Sequence, residues 1–191
     1  MTTTLAIFAS GSGSNALKIM DYFQGHPSVK IGLVVTNKAD AGVIKLAETR
    51  NIPCVIISKS MLYDDKLFSI CLDTYGINGI VLAGFLLLIP PYLIDTFPRK
   101  IINIHPALLP KHGGKGMFGH HVHEAVRASG STETGLTIHY CDKHYDEGHI
   151  IFQAKCPVLP TDSAEDIAAK VLFLEHLYYA RVLEKVFAEN N

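Results

Sequence analysis

The chain has 191 residues, with 17 Lys and Arg against 18 Asp and Glu, a formal net charge of −1 and 48% hydrophobic residues. That length suits one domain with a sizeable core, and the near-neutral balance excludes a broad field attracting nucleic acid or an anionic membrane. The longest apolar run, "GIVLAGFLLLIPPYLI", is cut by Pro90 and Pro91 and is too short to span a bilayer.

In chain order, "MTTT" carries no basic residue and leads into a short apolar stretch, so no secretory signal is read and a cytoplasmic protein is expected. Leu5–Ala9 is predicted as a strand, and "SNALKIMDYF" after it places apolar residues at helical intervals. Further strands are predicted over Ile31–Thr36, Cys54–Ile57 and Ile80–Ala83, separated by helices in "DAGVIKLAETR" and "LYDDKLFSICLDTY". These strands are near-continuous apolar runs, which suits a parallel sheet covered on both faces. Strand, helix and strand repeated with right-handed crossovers give an α/β fold, an open doubly wound and mostly parallel sheet.

Beyond a Pro-rich connector, a fifth strand is predicted over Ile101–His105. The Gly-, His- and Lys-rich loop "PKHGGKGMFGHH" follows, too long and polar for a mere link. "HVHEAVRAS" reads as a helix, "TETGLTIHYCD" as a half-exposed strand, and "HIIFQAKCPV" as a strand pairing antiparallel with it. One long helix is predicted from Ser163 to Ala188, with Ser163 as N-cap and Asp166 three residues on. Its expected buried stripe is Ile167, Val171, Leu174, Tyr178 and Val182. Cys54, Cys71, Cys141 and Cys156 are widely spaced without a C-x-x-C pair, and are expected as buried free thiols, not a zinc site.

Ligands of open α/β sheets bind beyond the carboxyl ends of the strands. The stretch "LAIFASGSGSNALKIM" delivers Gly11, Ser12, Gly13, Ser14 and Asn15 to such an end, with the unpaired N–H groups of a helix start behind them. It lacks the lysine of a nucleoside-triphosphate loop and the third glycine of a dinucleotide loop. A monophosphate cradle and a plain Gly-Ser turn capping the helix both remain open on this stretch alone.

Catalytic candidates lie in "RKIINIHPALLPKHGG". Asn103 and His105 are two apart, so they share one strand face, and Pro106 ends the strand at the edge that also carries the Gly-Ser loop. An Asn amide can donate to a developing oxyanion, and a His titrates near neutrality and can relay protons. In "DKHYDEGHI", Asp146 occupies a turn. A carboxylate near His105 would favour its imidazolium form; spacing leaves that role and ordinary turn chemistry equally open.

Together "FASGSGSN", "VLAGFLLLIPPYLI", "NIHPALLP" and "GLTIHYCDKHYDEGHIIFQAKCPV" resemble the phosphoribosylglycinamide formyltransferase family of folate-dependent purine synthesis, over essentially the whole chain. The resemblance implies transfer of the formyl group of 10-formyltetrahydrofolate, a co-substrate, to the amine of glycinamide ribonucleotide, without a metal. Asn103 would then hold the oxyanion, His105 would manage the protons, and Asp146 would tune His105 and order a water. The ribonucleotide would rest on Ser12, Gly13, Ser14, Asn15, Ala16 and Glu175. The folate would contact Leu86, Leu87, Leu88, Ile89, Asn103, His139, Asp142, Tyr145 and Asp146. The chain is then one domain over 1–191, about 1–100 forming a phosphate-binding half and about 101–191 a catalytic and folate half. Small molecules are the expected partners, with neither nucleic acid nor membrane, for a monomer or homodimer.

The chain departs from that family in places. "LLLI" replaces a run of Met-Arg-Ile-Leu type, and Met61 falls where some members offer an arginine to the folate tail, with Lys59 and Lys66 nearby. Glu147 stands where a second glycine is frequent. The longer loop carries His120, His121 and His123, read as substrate contacts at a helix start, and Lys111 and Lys115, read as phosphate or folate-glutamate contacts. Three other readings compete with this one. A 10-formyltetrahydrofolate hydrolase is expected to carry an added domain ahead of Leu5 and His in place of Pro106. A transferase acting on initiator methionyl-tRNA is expected to carry a further carboxyl-terminal domain and a basic surface. A non-catalytic phosphate-binding module does not require Asn103, His105 and Asp146 together.

Overall fold

The computed structural model describes residues 2–188, so the extreme ends of the predicted 1–191 domain lie outside it. Strand β1 (Thr3–Phe8) shows why the sheet must be covered twice: Leu5 and Ile7 join one core, Ala6 and Phe8 the other, and all four are fully buried. Strands β2 (Val29–Thr36), β3 (Cys54–Ile56), β4 (Gly79–Leu82) and β5 (Ile101–His105) extend the sheet through parallel pairings. Strands β6 (Glu133–Tyr140) and β7 (Ile150–Pro157) complete it antiparallel, in the order β3-β2-β1-β4-β5-β6-β7.

Helices α1 (Ser14–Tyr22), α2 (Gly42–Glu48), α6 (His120–Ala128) and α7 (Ala164–Phe187) supply the core on the Leu5/Ile7 face. Helices α3 (Lys59–Leu62), α4 (Asp65–Thr74) and α5 (Pro91–Thr96) do so on the Ala6/Phe8 face, where the Phe8 and Phe68 rings meet edge-on at 5.9 Å. After β1 the chain winds outward through β2 and β3, then returns to set β4 on the other side of β1. The loops leaving the carboxyl ends of β1 and β4 therefore diverge, and a crevice opens between them.

The predicted order of strands and helices is found, with four corrections. "LYDDKLFSICLDTY" holds one helix, α4, and an additional short helix, α3, ends at its first residue: Ser58 caps α3 by accepting from Met61 N at 3.1 Å, and Asp64 caps α4 by accepting from Leu67 N at 2.9 Å. The Pro-rich connector contains α5, started by Pro91. The cysteines are free but half-buried; Cys54 and Cys156 lie on the edge strands β3 and β7, which are covered less completely. The capping box of Ser163 and Asp166 forms as expected, yet Leu174 and Tyr178 are only half-buried and Glu175 and Tyr179 turn inward. The Tyr179 hydroxyl explains that rotation, since it reaches the backbone carbonyls of Leu82 and Ile102 at 2.8 and 3.1 Å and pins α7 across β4 and β5.

Candidate active site

The crevice is a cavity of about 670 Å³. Ser10 ties its two parent loops together: its N–H donates to the Gly84 carbonyl at 3.0 Å, its Oγ donates to Asn37 Oδ1 at 2.6 Å, and Leu86 N donates back to that Oγ at 3.1 Å. Gly13 stands at the N-cap of α1 with φ 82°, and a Cβ there would lie 2.9 Å from Val43 Cβ, so only glycine fits this turn. Two residues on, within the first turn of α1, Asn15 Nδ2 donates to Glu175 Oε2 at 2.7 Å.

Glu175 is 8% exposed, and burial pushes its carboxyl up to about 7 against the opposing Asn15 bond. A carboxyl whose folded value is raised holds its proton in the folded chain after the unfolded chain has lost it. Stability therefore falls as pH rises from the ordinary carboxylate range to about 7, by roughly 3 kcal/mol in total. Denaturant titrations across that window should show the slope in the wild type and its loss in Glu175→Gln. Equal slopes in both would remove Glu175 as the cause.

Asn103 and His105 project from one face of β5, and the return of two loops encloses them. His105 is 3% exposed; its Nε2–H donates to the His112 carbonyl at 2.8 Å and its Nδ1 lies 3.5 Å from Asp146 Oδ2. Gly114 N donates to the same carboxylate oxygen at 2.9 Å. The other oxygen, Oδ1, lies 3.6 Å from His139 Nε2, which accepts from Asn103 Nδ2 at 3.1 Å while His139 Nδ1–H donates to the Tyr140 carbonyl at 2.9 Å. Asp146 is held at φ 58°, a strained backbone of the kind that clusters at functional sites. A Cβ on Gly148 would sit 1.7 Å from the Tyr140 carbonyl, so the turn can fold back onto β6 only with glycine there. Glu147 is exposed, and a second glycine is not required.

Charge in this cluster is set by opposing effects. Burial lowers the affinity of His105 for a proton, and the Asp146 carboxylate raises it without overcoming the burial. Burial alone would raise Asp146, but the contacts with His139, His105 and Gly114 N–H hold it below the usual carboxylate range. The Asp146 carboxylate thus stands ready to stabilise a proton that arrives on His105.

Residues 3–183 match the formyl transferase family. The chain belongs to that family. The chloroplastic phosphoribosylglycinamide formyltransferase of Arabidopsis thaliana is 40% identical over 97% of this chain, which spans 65% of that relative's length. The enzyme of the same name from Haemophilus influenzae is 34% identical over 94% of this chain and 85% of its own. The crystal structure of phosphoribosylglycinamide formyltransferase from Anaplasma phagocytophilum superposes with a TM-score of 0.89 at 31% identity, covering 99% of this chain and 89% of that one.

In this member of the family every residue expected to contact the folate lines the cavity: Leu86, Leu87, Leu88, Ile89, Asn103, His139, Asp142, Tyr145 and Asp146. Of the expected ribonucleotide residues, Asn15 and Glu175 line it. Ser12, Gly13, Ser14 and Ala16 do not; Ala16 is fully buried in the core, so that helix start can offer a ligand backbone N–H groups and not the Ala16 side chain. Lys111 and Lys115 are exposed outside the cavity, as are Lys59 and Lys66, whereas His120 and His123 line it. The reading from sequence missed Ser10 and Lys38, which stand at the same end as Gly11 and Asn15. Lys38 follows β2, the parallel neighbour of β1, and that pairing, with no local motif to mark it, brings the side chain to the cavity. Among the described residues no group of three or more His, Cys, Asp or Glu side chains is placed to share a metal ion, and His120 and His121 instead face Glu124.

Proposed function

We propose that this chain moves the formyl group of 10-formyltetrahydrofolate to the amine of glycinamide ribonucleotide, giving formylglycinamide ribonucleotide and tetrahydrofolate. The observation that carries this reading is the meeting of Asn103, His105 and Asp146 at one cavity with two unlike ends. One end offers Gly11, the α1 N-terminus and the positive charge of Lys38 to a phosphate. The other offers the apolar Leu86–Ile89 wall and the Asp142 loop to a flat heterocycle. The names of the bacterial relatives point the same way.

In this mechanism the substrate amine attacks the formyl carbon and the carbonyl oxygen gathers negative charge. An amide NH₂ carries two donors; Asn103 spends one on His139 and keeps the second for the oxyanion. The attacking nitrogen must then lose a proton and the folate nitrogen must gain one before the old C–N bond breaks. His105 takes up that proton, Asp146 stabilises the imidazolium and orders the water that passes it on. Residues 1–100 supply the phosphate end and 101–191 the catalytic strand, each half lending a wall to the other's ligand. Cytosolic chemistry on small molecules, by a monomer or homodimer, is all the scheme requires. Among the described residues no helix is long and apolar enough to cross a membrane.

The test is donor turnover, followed by absorbance with and without glycinamide ribonucleotide. Loss of 10-formyltetrahydrofolate only in the presence of the amine is the expected result. Equal loss without it would make the chain a hydrolase, and no loss in either would leave a binding module.

A further inference from the structure

His123 has no task in the scheme above, yet its placement is costly. It is 6% exposed on α6, its ring lines the cavity, and its Nδ1 is buried with no hydrogen-bond partner among the described residues. Native proteins rarely leave a buried polar atom unpaired without a compensating use. An unpaired N–H is the less tolerable of the two choices, so the lone pair belongs on Nδ1 and the proton on Nε2. Burial, with His120 and His105 nearby, also disfavours a second proton on the ring. His123 therefore presents one neutral donor.

Its position selects the ligand. The folate wall comes from the β4 loop and the β6–β7 turn, whereas α6 packs against α7, which carries Glu175 on the ribonucleotide side. On that reading the phosphate takes the end formed by Gly11, the α1 N-terminus and Lys38, and Glu175 faces the ribonucleotide beside it. The part of the substrate left to fill the space beside His105 is the glycinamide, whose carbonyl oxygen is separated from the reacting amine by a single carbon. We infer that His123 donates from Nε2 to that carbonyl oxygen and so holds the amine beside His105. This rests on the transfer reading above, and it makes His123 a specificity-determining contact for the nucleophile.

His123→Phe keeps a ring of similar size and removes the donor, and His123→Gln restores one. In the Phe variant the KM for glycinamide ribonucleotide should rise about tenfold, with the KM for 10-formyltetrahydrofolate changed by less than about twofold. The Gln variant should recover most of the loss. The melting temperature of the Phe variant should not fall, since an unpaired buried nitrogen is replaced by carbon. As an independent readout, the imidazole ¹⁵N resonances of His123, assigned by their absence in His123→Gln, should move on adding the ribonucleotide and stay fixed on adding folate alone. An unchanged ribonucleotide KM or unmoved resonances would overturn the assignment, as would both KM values rising with a lowered melting temperature. A wild type that transfers normally in that case leaves the reaction intact and removes only His123; a wild type without transfer removes both.

Discussion

His105→Ala lowers the rate of formyl transfer by about 10²–10⁴-fold while the chain stays folded. The imidazole is the group in the cluster able to accept a proton near neutrality with an aspartate 3.5 Å away to stabilise it. Its backbone stays locked, because β5 pairs with β4 on one side and β6 on the other, with His105 opposite Thr137. The loss should appear in kcat measured at saturating concentrations of both substrates, with a near-wild-type circular dichroism spectrum. Removing His105 also takes away one of the contacts that hold Asp146 low, so the acid limb of the residual pH–rate profile should move upward. Transfer near the wild-type rate would take His105 out of the mechanism.

Asn103→Ala costs about 10²–10³-fold in kcat, the usual worth of one oxyanion donor, with smaller changes in both KM values. The reason lies in the timing of the interaction: the free N–H of Asn103 meets little charge on the ground-state carbonyl and full charge on the tetrahedral adduct. Asn103→Asp should be at least as damaging, since it replaces the donor with an acceptor beside the oxyanion. Steady-state kinetics of both variants decide this. If Ala and Asp both raise KM and leave kcat alone, Asn103 binds substrate and does not stabilise the transition state.

How far each of these residues was legible depended on how local its cause is. Asn103 and His105 could be read because two-residue spacing on a strand, ended by Pro106, fixes face and edge together. Strand β1 could be read because it is buried on both faces and every residue is apolar or small. Lys38 could not, since its place at the cavity follows from β2 lying beside β1, a pairing between distant segments. The tie between Asn103 and His139 depends likewise on the β5–β6 register, which sets the two directly opposite. In α7 two adjacent stripes are compatible with helical spacing, and the Tyr179 hydroxyl and the Asn15–Glu175 bond choose between them. The break between α3 and α4 had a local signal in Ser58 and Asp64, each three residues ahead of the N–H it caps.

At the root of the account is a direct hand-over of one carbon between two ligands held in a single cavity. Carbon-13 NMR of 10-formyltetrahydrofolate labelled in the formyl carbon, mixed with the protein and glycinamide ribonucleotide, follows that carbon itself. The account predicts that the label appears on the ribonucleotide amide as fast as the donor disappears, with the same slowing in Asn103→Ala and His105→Ala. Label accumulating as free formate, at a rate indifferent to the ribonucleotide, would contradict it.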